Sequence, residues 1–130
     1  HIEDWDVSSV TSTICMFNRA YDFNTPIGIW NVSGVTNMAS MFSYASVFSQ
    51  PIGDWDVSRV TNMAFMFAGA TSFNQPIGGW KVGSVTDMGS MFYEAPLFNE
   101  PIGFWDVSGV TDMSAMFNCP LYFHYDCDFN

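Results

Sequence analysis

Pro26, Pro51, Pro76 and Pro101 stand 25 residues apart, and His1 takes the same register position at the start of the chain. No other feature constrains the fold as severely. A strict period in the range of roughly 20 to 50 residues means stacked units, none of which can bury its own apolar face alone. The unit reads P-I-G-x-W-D-V-S-x-V-T-N/D-M-x-x-M-F-x-x-A-x-x-F-N-Q, nearly as it stands in Pro51 to Gln75. Five copies, residues 1–25, 26–50, 51–75, 76–100 and 101–125, take up almost all of the 130 residues, with an irregular C-terminal end over 118–130. That leaves no room for a second module, so residues 1–130 are expected to form one repeat domain.

Stacking brings equivalent positions together, so the sequence is best read in columns. Complete columns are formed by Trp5, Trp30, Trp55, Trp80 and Trp105, by Ile2 to Ile102, by Val7 to Val107 and by Val10 to Val110 at the same interval. The β-branched and aromatic run I-x-x-W-x-V, preceded by a turn, predicts a short parallel strand in each unit, stacked at about 4.8 Å per rung. Met38, Met41, Phe42 and Ala45 then stand at i, i+3, i+4 and i+7, as do Met63, Met66, Phe67 and Ala70. That spacing is one face of a short helix. Thr11, Thr36, Thr61, Thr86 and Thr111 precede it as candidate N-caps, followed by Asn or Asp at 37, 62, 87 and 112.

A second phenylalanine column, Phe23 to Phe123, packs the return path. All nine methionines fall in the two helix columns, which favours core packing over soft-metal binding. Asn24, Asn74 and Asn99 are expected as a buried ladder bonded to turn backbone. The residues therefore predict an α/β solenoid of five 25-residue units, each a short parallel β-strand plus a short helix.

Composition excludes several classes. At 48% hydrophobic, 18% aromatic and 12% charged, the chain is not disordered. A net charge of −10 opposes nucleic acid and anionic lipid, and no apolar run is long enough to insert in a membrane. Beginning with His, the chain reads as a processed or excised piece. Cys119 and Cys127, eight apart, are either a disulfide closing the C-terminal end or two reduced small hydrophobes, and Cys15 is left over.

The string W-D-V-S-x-V-T-N-M-x-x-M-F-x-x-A-x-x-F-N-Q-P-I-G resembles the repeat of BspA-like surface proteins of the DUF285 type, over all but the last dozen residues. The resemblance implies an extracellular or cell-surface protein, often adhesive, and a right-handed, leucine-rich-repeat-like solenoid. Val60 departs from the leucine-rich pattern, where Asn is usual.

The sequence holds no sign of catalysis. His1 and His124 are its only histidines and neither joins a cluster at metal spacing, so no catalytic residue, metal site or cofactor is expected. Nucleophile elbows and phosphate loops are absent, and Ser8, Ser33, Ser58 and Ser108 recur as structural hydroxyls. The candidate binding residues are Asp4, Asp6, Asp54, Asp56 and Asp106, expected on one acidic strand face. They suit Ca²⁺ or a cationic partner, or simply a solvated face, which the interruption by Lys81 fits better. Asn31-Val32-Ser33 is a possible N-glycosylation site in the same column. The expected function is a noncatalytic adhesion-type module that presents its stacked-strand face to a surface protein or glycan. The alternative is a filament subunit, assembling with copies of itself end to end through its uncapped terminal repeats; Asp128-Phe129-Asn130 repeats the ending Asp22-Phe23-Asn24.

Overall fold

In the Met–Phe arc of each unit the backbone folds back every few residues and does not wind into a helix. The amides of Met41, Ser43 and Ala45 donate to the carbonyls of Met38, Ser40 and Phe42, three residues earlier, at 3.2, 3.2 and 3.0 Å. Between them, Met38, Ser40, Phe42 and Tyr44 donate to Asn62, Ala64, Met66 and Ala68 of the next unit at 2.7–2.9 Å. Ser40 and Tyr44 have φ of 56° and 57°. Positive φ recurs in both columns, at Cys15, Phe65, Ser90 and Ala115, and at Arg19, Gly69 and Glu94. An α-helix tolerates neither the left-handed residues nor amides that leave the segment. The expected helix is therefore absent.

The expected strand is absent too. The computed structural model describes residues 1–120, and between Pro51 and Val60 the backbone bonds run only within the unit, Trp55 N–H to the Ile52 carbonyl and Val60 N–H to the Val57 carbonyl. A parallel strand would send its amides across to a neighbour. Here one side chain makes that link: the indole N–H groups of Trp30, Trp55, Trp80 and Trp105 donate to the carbonyls of Ile2, Ile27, Ile52 and Ile77 at 3.0–3.2 Å. Among the described residues the only helical element is a three-residue 3-10 turn, Ile2–Asp4, and the only strand-like pairs are isolated parallel bridges joining Ser12, Asn37, Asn62, Asp87 and Asp112 in succession. The α/β solenoid of strands and helices is thus replaced by a register-locked stack of turns.

The threonines serve that register. Thr36, Thr61, Thr86 and Thr111 donate their amides to the carbonyl of the threonine one unit earlier at 2.8 Å, and their hydroxyls reach the same carbonyl at 3.1–3.2 Å. They cap no helix. Asn37, Asn62, Asp87 and Asp112 accept the amide two residues on, bending the chain into the Met–Phe arc.

Burial follows the columns. One apolar cluster runs from Val7 to Met116, including Met41, Phe42, Met66 and Phe67 with no exposure at all. Two phenylalanine columns lie side by side: Phe42 and Phe48 stack at 3.9 Å, as do Phe67 and Phe73. Each ring also meets its equivalent in the next unit, as Phe42 meets Phe67 at 5.6 Å. Each fully buried large side chain contributes about 1.5–3 kcal/mol before entropy is subtracted. Thr13 stands where later units have methionine, and its buried hydroxyl has no hydrogen-bond partner among the described residues. Asn24, Asn74 and Asn99 bond between units as expected but are exposed, so the predicted burial of that ladder is wrong: Ser49 N–H donates to Asn24 Oδ1 and Asn99 N–H to Asn74 Oδ1.

Candidate functional site

The Trp–Val arc points two columns outward. At the apex of its first turn come Asp4, Ile29, Asp54, Gly79 and Phe104, and just beyond the tryptophan come Asp6, Asn31, Asp56, Lys81 and Asp106. The five aspartates proposed from sequence all lie exposed in these columns, on turns and not on strands. Each of Asp6, Asp56 and Asp106 accepts two bonds from the serine two residues on, hydroxyl at 2.6 Å and amide at 3.0–3.1 Å. The serine hydroxyl first, then its amide, hold these carboxyls below the usual aspartate range. They stay ionised at neutral pH, with one oxygen engaged and the other open to a partner.

Asn31 makes the same two contacts with Ser33 through Oδ1, at 2.7 and 3.2 Å. Its Nδ2, the atom a glycan would take, has no hydrogen-bond partner among the described residues. Unit 4 alone lacks the clamp, because Lys81 and Gly83 replace the acidic or amide residue and its serine.

Two apolar residues on this face were missed from sequence. Ile29 is 83% exposed and Phe104 95% exposed. The signal was available: their column carries Asp or Gly in the other units, so it points to water and holds no place in the core.

Among the described residues no three His, Cys, Asp or Glu side chains converge as a metal site requires, and the aspartates of alternate units remain apart. The calcium reading therefore has no donor set behind it. A separate cleft of about 270 Å³ lies against Tyr44, Gly69, Thr71, Glu94 and Pro96. The Tyr44 ring occupies the space a side chain at Gly69 would need, and partial burial, then the nearby Glu94 carboxylate, push its phenol pKa up. Cys119 borders this cleft and is disulfide-bonded, while Cys15 is a free, exposed thiol. Cys127 and His124 lie outside the described residues. No described helix is long and apolar enough to cross a membrane.

A 25-residue repeat stacked through its own backbone, with exposed aspartates in its outward columns, defines a class of repeat protein. The family described as "Mycoplasma protein of unknown function, DUF285" matches residues 1–96 and again 27–128, and the chain belongs to it. No curated protein and no solved structure matches the chain.

Proposed function

We propose that this chain is a noncatalytic recognition module of an extracellular or cell-surface protein, binding a surface protein or glycan through the two outward columns of the Trp–Val arc. One observation carries the reading: these columns are exposed and take no part in the core, yet they ride on an interior that is wholly buried in the middle units. Rigid support beneath variable exposed residues is the arrangement that recognition surfaces use. The resemblance to BspA-like surface proteins supports the extracellular placement. A glycan on Asn31 would cover the unit 2 part of the face and leave units 4 and 5 open.

The test is binding of fluorescently labelled chain to cells and to extracellular matrix, beside a variant carrying Asp54→Lys, Asp56→Lys and Asp106→Lys. Loss of about tenfold or more in bound label is expected, and undiminished binding by a folded variant contradicts the reading.

A second reading, end-to-end assembly, draws on the edge of unit 1. The carbonyls of Ser12, Ile14, Met16 and Asn18 accept no bond among the described residues, whereas those of Asn37, Ala39, Met41 and Ser43 each accept one from the preceding unit. A further unit of the same repeat, from the same chain or another molecule, fits that edge. Sedimentation across a wide concentration range tests it: concentration-dependent linear oligomers are expected, and monomers throughout contradict it.

A further inference from the structure

Within the Trp–Val arc, unit 4 departs from its neighbours only at outward-facing positions. Gly28, Gly53 and Gly78 are demanded by packing, since a Cβ there would lie 2.4 Å from the proline carbonyl oxygen of the next unit. Gly79 and Gly83 are not. A Cβ on Gly79 would meet nothing within 4 Å, and one on Gly83 only Asp106 Oδ2 at 3.6 Å. Their effect is to open a notch in an otherwise filled face. Two adjoining hollows, of about 430 and 370 Å³, share Gly79 and Lys81. Phe104 and Asp106 wall the first, and Asp54, Asp56 and Ser58 the second.

The notch disfavours anions, which would meet the carboxylates of Asp54, Asp56 and Asp106, and it sets one ammonium, Lys81, among them. A hydroxyl group both donates and accepts, so a polyol pairs with the ammonium and the carboxylates together. Asp106 offers one oxygen for this, because Ser108 engages its Oδ1 and leaves Oδ2 turned toward Gly83. Phe104 supplies the remaining element, a ring almost wholly in water, which the core does not use. The apolar C–H face of a sugar ring packs on such a surface, while a few placed polar groups fix orientation.

We propose that the unit 4 notch binds a neutral glycan, with one pyranose ring against Phe104 and its hydroxyls on Lys81, Asp56 and Asp106. The proposal rests on the recognition-face reading and names the ligand class for it.

The experiment uses the full chain on an immobilised panel of neutral gluco-, galacto- and manno-oligosaccharides, followed by calorimetric titration of any that bind. Wild type is expected to bind at least one of them. Phe104→Ala, and Gly79→Leu, which fills the notch where no neighbour stands, should each weaken it about tenfold or more. Leu97→Ala, an exposed apolar residue outside both outward columns, should leave binding unchanged. Unaltered melting temperatures show that the variants fold. A silent panel, or binding that survives both notch variants, overturns the proposal. If the panel is silent while the labelled chain still binds cells through its aspartates, the glycan assignment fails alone; if wild type binds no surface at all, the recognition reading falls with it.

Discussion

The two arcs of each unit use their backbone in opposite ways. From Met63 to Ala70 every amide is hydrogen-bonded, alternately to the next unit and to unit 3 itself. From Ile52 to Arg59 only the amides of Trp55 and Ser58 are, and both bonds stay within the unit. The Met–Phe arc is thus the seam that joins the stack, and its inward side chains have little freedom to change. The Trp–Val arc is held by buried isoleucine, tryptophan and valine and one indole bond per unit. The outward column of its first turn lies outside the core, which is why it can hold Asp4, Ile29, Asp54, Gly79 and Phe104 in turn. The Met–Phe arc varies as well, at Cys15, Ser40, Phe65, Ser90 and Ala115 and at Arg19, Tyr44, Gly69 and Glu94, but those residues sit on the hydrogen-bonded seam. The varying residues of the Trp–Val arc ride on exposed turns outside it, and recognition is placed there for that reason.

The sharpest way to separate the arcs is truncation. Phe67→Ala removes a fully buried ring stacked on Phe73 and on Phe42 and Phe92 of the adjoining units, and should lower stability by about 4 kcal/mol. Asp54→Ala on the other arc should stay within about 0.5 kcal/mol, as exposed substitutions do. Urea unfolding of both variants measures the contrast, and similar losses would erase it.

Glycines refine it within a single arc. Gly53→Ala forces a Cβ against the Pro76 carbonyl oxygen and should cost about 2–3 kcal/mol, whereas Gly79→Ala, with nothing within 4 Å, should be nearly neutral. Equal midpoints for the two would refute the packing assigned to Gly53. A smaller change in the opposite direction is expected on the seam. Thr13→Val replaces a buried hydroxyl that has no partner and should raise stability by about 1 kcal/mol in thermal or urea unfolding.

The smallest effect concerns the face. Folding depresses the pKa of Asp6, Asp56 and Asp106 through their serine contacts, so it favours the charged form. That contribution is present above the unfolded aspartate pKa, near 3.9, and is lost as pH falls through the lower folded values. Melting temperature should therefore decline below about pH 4. Replacing the three by Asn, which Asn31 shows can keep both contacts, should flatten the decline without lowering the melting temperature much at pH 7. An unchanged pH profile would show that the clamps do not couple to folding.

Much of this architecture was legible in the columns. The 25-residue register, the inward Ile, Trp, Val, Met and Phe columns and the outward aspartates all follow from periodicity. The secondary structure did not, for a specific reason. Met38, Met41, Phe42 and Ala45 meet the core whether the chain winds as a helix or reverses at Ser40 and Tyr44, because both paths return inward after three or four residues. Among the described residues, eight of the nine at positive φ are not Gly, so no turn signal marks them. Threonine before an apolar run likewise looks like a helix cap, and only the Thr36 bonds to the Thr11 carbonyl show that it serves the neighbouring unit. At the candidate site, acidity was visible from sequence, but the notch depends on which glycines lack neighbours, a property of stacking alone.

Amide hydrogen exchange followed residue by residue tests the central claim, that turns and cross-unit bonds of one arc hold the stack. The account predicts slow exchange at every amide from Met63 to Ala70, and fast exchange at Asp54, Asp56 and Arg59, with Trp55 slower than its neighbours. Protection running unbroken along Ile52 to Val57, as in a paired strand, would contradict it.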